Sequence, residues 1–242
     1  MDISSASRTR VVAVLLTLSG GFLDAFTYVG HGRVFANTMT GNVALLGVDA
    51  AAGEWAEAGR HIPPLVGFVF AVFIAHMLNL DGVARRVRQP ALICLTLEVA
   101  FLSIAPIDAL TLPELVLIPG ISFTATLQTL SFTHLESLSY TSVMTTGNLR
   151  RAAAKLFAGL IPRWNSAALG ESWLLGMISV SFLAGAALGA FSTSRLHDHA
   201  LWISALILAM ALARIVQLSR RADLIAPASG GPDPDIPPSQ SL

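Results

Sequence analysis

The residues of this chain that are best suited to chemistry are three polar side chains inside otherwise apolar runs. Asp24 lies in Gly-Gly-Phe-Leu-Asp-Ala-Phe, Glu98 in Leu-Thr-Leu-Glu-Val-Ala, and Gln128 in Ala-Thr-Leu-Gln-Thr. A carboxyl group in such a place can hold a proton, and an amide can donate and accept hydrogen bonds. Because these groups are costly in an apolar setting, we expect them to face the protein interior and to serve a function. A structural role for Asp24, holding helices together, is equally consistent with the sequence.

A short signature that occurs twice supplies the second set of candidate residues. The members are Thr40, Gly41 and Asn42 in the first copy and Thr146, Gly147 and Asn148 in the second copy. Asp24 precedes the first Asn by 18 residues, and Gln128 precedes the second by 20. We predict that each copy begins a helix whose free backbone N–H groups favour a polar or anionic solute. The signature also allows a structural role, in which Thr or Asn caps an interfacial helix.

The composition indicates an integral membrane protein. Apolar residues make up 54% of the 242 residues, charged residues only 12%, and the mean hydropathy is +0.67. This excludes an ordinary soluble enzyme, which carries about twice that share of charge. The net charge is zero, so no basic surface for nucleic acid is indicated. A single cysteine, Cys94, excludes a disulfide framework and a cysteine-based metal site.

Six apolar runs have about the length that a helix needs to cross a bilayer. They are residues 11–29, 62–80, 90–107, 112–132, 172–192 and 200–218. Twelve of the fifteen Lys and Arg residues fall on one side if both termini are cytoplasmic. We therefore predict a cytoplasmic N-terminus (1–10), one transmembrane domain (11–220) and a disordered, proline-rich cytoplasmic tail (221–242). An eight-span topology is disfavoured, because it places Arg85, Arg86 and Arg88 outside.

The two signatures divide the transmembrane domain into halves of similar design, residues 11–108 and 112–218. Each half has one span before the signature and two after it. Because three is an odd number, the halves enter the membrane in opposite directions, as in several transporter folds. The predicted fold is thus all-α, with six spans in two inverted three-helix repeats, each with a broken or re-entrant Thr-Gly-Asn element.

The fifth run contains a Gly-x-x-x-Gly pair, Gly185 and Gly189. Such a pair lets two helices approach closely in a membrane. We expect its partner helix within the same chain, and the sequence leaves open whether the protein forms a homo-oligomer.

These motifs together resemble the YoaK family of bacterial multi-pass membrane proteins. The first-half resemblance lies in Gly20–Tyr28, Val34-Phe35 and Met39–Asn42, and the second-half resemblance in Leu127–Thr129 and Met144–Asn148. It covers about residues 10–220. The family positions carried over are Asp24, Gly41, Asn42, Gln128, Gly147 and Asn148. Thr129 departs from the family pattern, which more often has Asn there. The resemblance implies a multi-pass membrane protein and implies no activity.

The leading functional hypothesis is a small-solute transporter or channel of the bacterial inner membrane. In it, the two signatures line a central site, Asp24 is the proton-coupling acid, Gln128 is its neutral counterpart, and Glu98 supports it. The expected partners are the lipid bilayer and an unidentified small solute, with no cofactor, no metal and no nucleic acid. The alternative is a non-transporting scaffold or assembly factor that binds another protein. A lipid-modifying enzyme ranks last, because no catalytic spacing is visible, and we predict that the protein is not an enzyme.

Overall fold

The computed structural model describes residues 8–80, 87, 89–107, 112–136 and 138–225. Within these residues the chain forms nine α-helices, one two-stranded hairpin and one 3-10 turn. The helices are α1 (Arg10–Gly30), α2 (Met39–Ala52), α3 (Trp55–Arg60), α4 (Ile62–Leu78), α5 (Pro90–Ile104), α6 (Glu114–Ser131), α7 (Thr145–Leu160), α8 (Ser166–Leu196) and α9 (Leu201–Ile225). The strands are β1 (His134–Leu135) and β2 (Leu138–Ser139), and the 3-10 turn is His197–Ala200.

Each of the six apolar runs forms a helix, with bounds that differ most in the second half. Helix α8 has 31 residues and begins earlier than the predicted run. Its early start has a local cause, since the Asn165 side chain accepts hydrogen bonds from the backbone N–H groups of Ala167 and Ala168 at 3.1 and 3.2 Å. Helix α9 continues to Ile225, into the segment predicted as a tail. The rest of that segment, 226–242, and the arginines at 85, 86 and 88 lie outside the described residues.

The fold is all-α and suited to a membrane. Among the described residues, three helical stretches are long and apolar enough to cross one: Arg10–Gly30, Trp55–Leu78 and Ser166–Arg221. The third stretch contains both α8 and α9. Helix α5 is apolar but has only 15 residues, and α6 carries Pro119 and several polar residues along its length. The small hairpin β1–β2 was not predicted, because its two residue pairs leave no alternating pattern to read.

Helix α1 is the packing centre of the molecule. It packs along α8 and also against α9, while α6 packs along α4 and against α5. Gly185 of α8 faces the Leu18 carbonyl, and Gly189 faces the Phe22 carbonyl, so closely that a Cβ at either position would overlap backbone. The partner of the Gly-x-x-x-Gly pair is therefore α1 of the same chain. In the α4–α6 contact, Gly67 faces the backbone of Pro119 in the same way.

Contacts between ionisable side chains mark the two ends of the helix bundle. At the first end, Arg10 contacts Glu136 at 2.6 Å, and the Glu136 N–H donates to the Arg8 carbonyl at 2.8 Å. At the second, His31 Nδ1 lies 3.4 Å from Glu114 Oε1, and His31 Nε2 lies 3.3 Å from Asp198 Oδ1. We call these the Arg10 end and the His31 end. The contact at the Arg10 end joins the hairpin to the start of α1. The contacts at the His31 end join the start of α6 and the α8–α9 turn to the end of α1.

The close α1–α8 contact predicts a position-specific effect of one added methyl group. Gly185→Ala places a Cβ against the Leu18 backbone, which cannot rotate away, so the helices must separate. We expect a loss of about 1–3 kcal/mol in the free energy of unfolding, measured in detergent by thermal or SDS-induced unfolding. Gly176→Ala is the matched control on the same helix, because its Cβ would have nothing within 4 Å. Equal stability of the two variants would contradict the packing described here.

Candidate functional site

Asp24 is buried in α1 and fixes the loop that follows this helix. Its Oδ1 atom accepts hydrogen bonds from the N–H groups of Asn37 and Thr38, at 2.6 and 3.3 Å. Its Oδ2 atom accepts one from the Thr38 hydroxyl at 2.5 Å. Three hydrogen bonds to a carboxylate are a strong tether. They draw the loop before α2 back along α1 instead of leaving it at the end of the bundle.

Gln128 occupies the corresponding place in the second half. It is buried in α6, and its Oε1 atom accepts hydrogen bonds from the Thr129 and Ser142 hydroxyls at 3.3 and 3.5 Å. Ser142 follows Gln128 by 14 residues, which is the separation of Asp24 and Thr38. In both halves, therefore, a polar residue of the first helix holds a hydroxyl of the loop that precedes the Thr-Gly-Asn helix.

The two loops meet at Gly20, which lies in the middle of the 21-residue α1, about 15 Å from either end. The Asn37 side-chain N–H donates to the Gly20 carbonyl at 3.2 Å. The loop of the second half approaches the same glycine. A Cβ at Gly20 would lie 2.9 Å from Val143 Cγ1 and 3.2 Å from the Ser142 carbonyl oxygen. We name the buried and half-buried polar side chains of this region the central polar cluster. Its members are Asp24, Asn37, Thr38, Gln128, Thr129 and Ser142.

Two atoms of the central polar cluster have no hydrogen-bond partner within the described part of the chain. They are the Nε2 donor of Gln128 and the Oδ1 acceptor of Asn37, and both are buried. An unsatisfied buried polar group costs about 1–3 kcal/mol. A free acceptor in one loop and a free donor on the side chain that holds the other loop are suited to a small polar molecule or to water.

Asn42 and Asn148 serve as clamps on the backbone. Asn42 accepts from the Phe35 N–H at 2.9 Å and donates to the Phe35 carbonyl at 2.7 Å. Asn148 does the same with Thr141, at 3.4 and 2.7 Å, and each Asn lies seven residues after its partner. The prediction that Thr or Asn side chains cap these helices is wrong, since neither α2 nor α7 has a side-chain cap. Thr38, the residue before α2, donates its hydroxyl to Asp24 instead.

The other signature residues lie at the rim of this arrangement. Thr40 and Thr146 are exposed. Gly41 sits against the Phe35 ring, where a Cβ would lie 2.9 Å away, whereas Gly147 has open space around it. Helix α2 packs on α3 and α4, and α7 packs on α8. The segments that meet at the centre are thus the loops before the signatures.

Glu98 is buried on the face of α5 that also carries Cys94, Leu95 and Leu102. This helix packs against α6 and α9, and Glu98 Oε2 has no partner among the described residues. Within the described residues, no hydrogen bond or ion pair joins Glu98 to the central polar cluster, so its supporting role stays a prediction. Within the described residues, no group of three or more His, Cys, Asp or Glu side chains is arranged to hold a metal ion.

Three residues of the central polar cluster were missed by sequence reasoning: Asn37, Thr38 and Ser142. Each lies in a loop, and its importance depends on where the loop folds. One signal was present, namely that a hydroxyl residue stands 14 positions after both Asp24 and Gln128. Thr129, the position that departs from the family pattern, also joins the cluster, since its hydroxyl lies 3.1 Å from that of Ser142.

Comparison with known proteins identifies the family. A family model described as "Protein of unknown function (DUF1275)" matches residues 12–214. The chain belongs to this family. The chain is also 31% identical over 75 residues to the "UPF0700 transmembrane protein YoaK" of Bacillus subtilis (strain 168), a match that covers 31% of this chain and 33% of that protein. The resemblance to the YoaK family is confirmed, and this DUF1275 chain is a membrane protein. No solved structure matches it.

The clamp geometry in this DUF1275 protein predicts different results for one substitution at three positions. Asn42→Asp removes the donor to the Phe35 carbonyl and sets a carboxylate against it, so we expect a loss of about 1–3 kcal/mol in the free energy of unfolding. Asn148→Asp should cost less, because Arg151 donates to Asn148 Oδ1 at 2.9 Å. Asn165→Asp should be neutral, since Asn165 only accepts. Thermal unfolding in detergent measures all three, and equal losses at 42 and 165 would contradict the clamp.

Proposed function

We propose that the protein is a small-solute transporter or channel of the bacterial inner membrane. The observation that carries the proposal is the meeting of the two loops at Gly20. Each loop precedes one Thr-Gly-Asn helix, and the two come from opposite ends of α1. A buried acceptor in one loop, Asn37 Oδ1, and a buried donor on the residue that holds the other loop, Gln128 Nε2, have no partner among the described residues, and a polar binding site in the middle of a membrane requires such groups.

The helix packing supports the finer topology, six spans in two inverted halves with re-entrant α2 and α7. The contact of α1 with α8 has its counterpart in the contact of α6 with α4, and the contact of α1 with α9 has its counterpart in that of α6 with α5. Exchanging the halves therefore preserves the packing. The paired Asn clamps and the paired 14-residue hydroxyl contacts follow the same exchange. Such a relation is the design of inverted-repeat transporters.

The tryptophans support a membrane position of the bundle with its two ends at the two interfaces. The four tryptophans of the chain are between 48% and 74% exposed. They lie near the ends of the bundle, and Trp is enriched at the two interfaces in membrane proteins. Trp55 and Trp202 are near the His31 end. Trp164 lies in the connection between α7 and α8, and Trp173 lies near the start of α8. In the proposed orientation the Arg10 end is cytoplasmic, as are both termini, because the Lys and Arg residues concentrate there.

The free groups of the central polar cluster favour a neutral solute. Both carboxylate oxygens of Asp24 already accept hydrogen bonds from Asn37 and Thr38, so most of the accepting capacity of this acid is used within the protein. What remains is an amide N–H of Gln128 and an amide carbonyl of Asn37. A small molecule that both donates and accepts, such as an amide or an alcohol, matches these two groups.

Asp24 offers a route for coupling to protons that does not need contact with the solute. A protonated carboxyl group keeps less accepting capacity and gains a donor. Its tether to the N–H groups of Asn37 and Thr38 then weakens, and the loop before α2 is released from the centre. In this mechanism the proton controls the loop, and the loop controls access to the Gln128 side of the cluster.

Solute flux is the direct test of this function. Purified protein in liposomes should speed the entry of urea or glycerol, followed by light scattering after rapid mixing. Gln128→Leu should reduce the added flux at least tenfold, because it removes the free donor. Gln217→Leu is the matched control, since Gln217 is exposed on α9, and it should leave flux unchanged. If the wild type adds no flux and a stoichiometric protein partner co-purifies, the scaffold alternative replaces the transporter.

The pH dependence of flux tests the role of Asp24. We expect wild-type flux to depend on pH, whereas flux through Asp24→Asn should stay constant, because the amide cannot titrate. Thr38→Val is the companion variant, which removes one hydrogen bond and keeps the carboxylate, so its flux should still respond to pH. A pH response that persists in Asp24→Asn would sink the coupling mechanism and leave the channel intact.

A further inference from the structure

Helix α7 carries an exposed apolar face. Four exposed apolar residues lie on the side of α7 turned away from the bundle, at successive spacings of seven, one and three residues. They are Leu149, Leu156, Phe157 and Leu160. Leu149 is 58% exposed and Phe157 is 61% exposed. The adjacent side is held by the protein, since Asn148, Ala152 and Gly159 are buried and α7 packs along α8. The apolar face is thus a surface that the described chain leaves uncovered.

Helix α7 differs in charge from α2, its counterpart in the first half. The α2 sequence, Met39–Ala52, contains no Lys or Arg, whereas α7 contains Arg150, Arg151 and Lys155. Arg163 and Trp164 follow in the connection to α8. Because both helices begin with the same Thr-Gly-Asn signature and the same clamp, the cations are an addition that the shared architecture does not need.

Two of the four cations are used within the protein, and two are not. Arg151 donates to the Ser139 carbonyl and to Asn148 Oδ1, and Lys155 pairs with Glu171 at 2.5 Å. Arg150 and Arg163 are exposed, and no hydrogen bond or ion pair engages either one within the described residues. They flank the apolar face at its beginning and end, and Trp164, 73% exposed, stands beside the second.

We propose that the exposed face of α7, together with Arg150, Arg163 and Trp164, is a binding site for anionic phospholipids. The apolar side chains contact the acyl chains, and each arginine, at its own end of the face, binds a headgroup phosphate. Arginine suits this role because its planar guanidinium matches phosphate oxygens in two-point hydrogen bonds. Exposed Trp is enriched at headgroup depth, where the indole ring bridges apolar and polar regions. Charge complementarity with the anionic cytoplasmic leaflet selects this class of lipid.

The position of the site along α8 supplies a control far from it. Helix α8 has 31 residues, so its two ends lie about 46 Å apart, which is close to the full thickness of a bilayer with headgroups. Arg163 precedes the first end. Arg195 lies in the last turn at the second end, and Arg33 follows His31 there. An Arg33→Gln, Arg195→Gln double variant therefore removes two exposed arginines from the opposite side.

Native mass spectrometry of the full-length protein in detergent tests the proposal, with phosphatidylglycerol and phosphatidylcholine of equal chain length as probes. We expect the wild type to retain phosphatidylglycerol at least tenfold more strongly than phosphatidylcholine. The Arg150→Gln, Arg163→Gln double variant should lose this preference, and the Arg33→Gln, Arg195→Gln variant should keep it. Unfolding temperatures of both variants verify that each is folded, and Arg150→Lys, Arg163→Lys should recover part of the preference because it restores the charge.

Five results would overturn the proposal. One is equal retention of the two lipids by the wild type, and another is an unchanged preference in the Arg150→Gln, Arg163→Gln variant. Competition by soluble glycerol phosphate at millimolar concentration would mean a free-phosphate site in place of a lipid site. Lipid preference that emerges only after removal of residues 226–242 would assign the face to the chain's own C-terminal segment. Lipid preference that emerges only in a monomeric fraction would assign the face to a second copy.

Discussion

The fold depends on one constraint, which is that non-helical backbone within an apolar bundle must find hydrogen-bond partners in the protein. The loops before α2 and α7 reach the middle of α1, about 15 Å from either end of that helix. Asn42 satisfies both polar groups of Phe35, and Asn148 does so for Thr141. Asp24 satisfies two further N–H groups. These few side chains let an irregular backbone occupy the centre of a helical bundle.

Small residues make room for this arrangement. Gly20 receives the loops of both halves, and Gly21 on the next position faces the Phe182 carbonyl of α8. One turn of α1 thus packs against both the loops and α8. A larger residue at Gly20 would push the loops away from α1, and a larger residue at Gly21 would push α8 away from it. A close backbone contact of the same kind joins α4 to α6, where Gly67 admits the backbone of Pro119.

The sequence predicted the helices and the buried polar residues, because both depend on local composition. Asp24 and Gln128 are conspicuous among apolar neighbours, and the structure buries both. The partners of Asn42 and Asn148 were beyond prediction, since each clamp binds the backbone of Phe35 or Thr141 and backbone is identical at every position. The meeting at Gly20 depends on tertiary folding. The length of α8 was underestimated because Glu171 reads as a loop residue, whereas the structure pairs it with Lys155.

The contact of His31 with two carboxylates has a mechanical consequence. A single buried imidazole lies between Glu114, at the start of α6, and Asp198, in the turn that joins α8 to α9. Three separate connections of the chain are thereby pinned at one point. A rocking motion that separates the helices at the Arg10 end can pivot about this point and leave it intact. Opening at the His31 end has to separate three segments at once, whereas opening at the Arg10 end has to break the contact of Arg10 with Glu136.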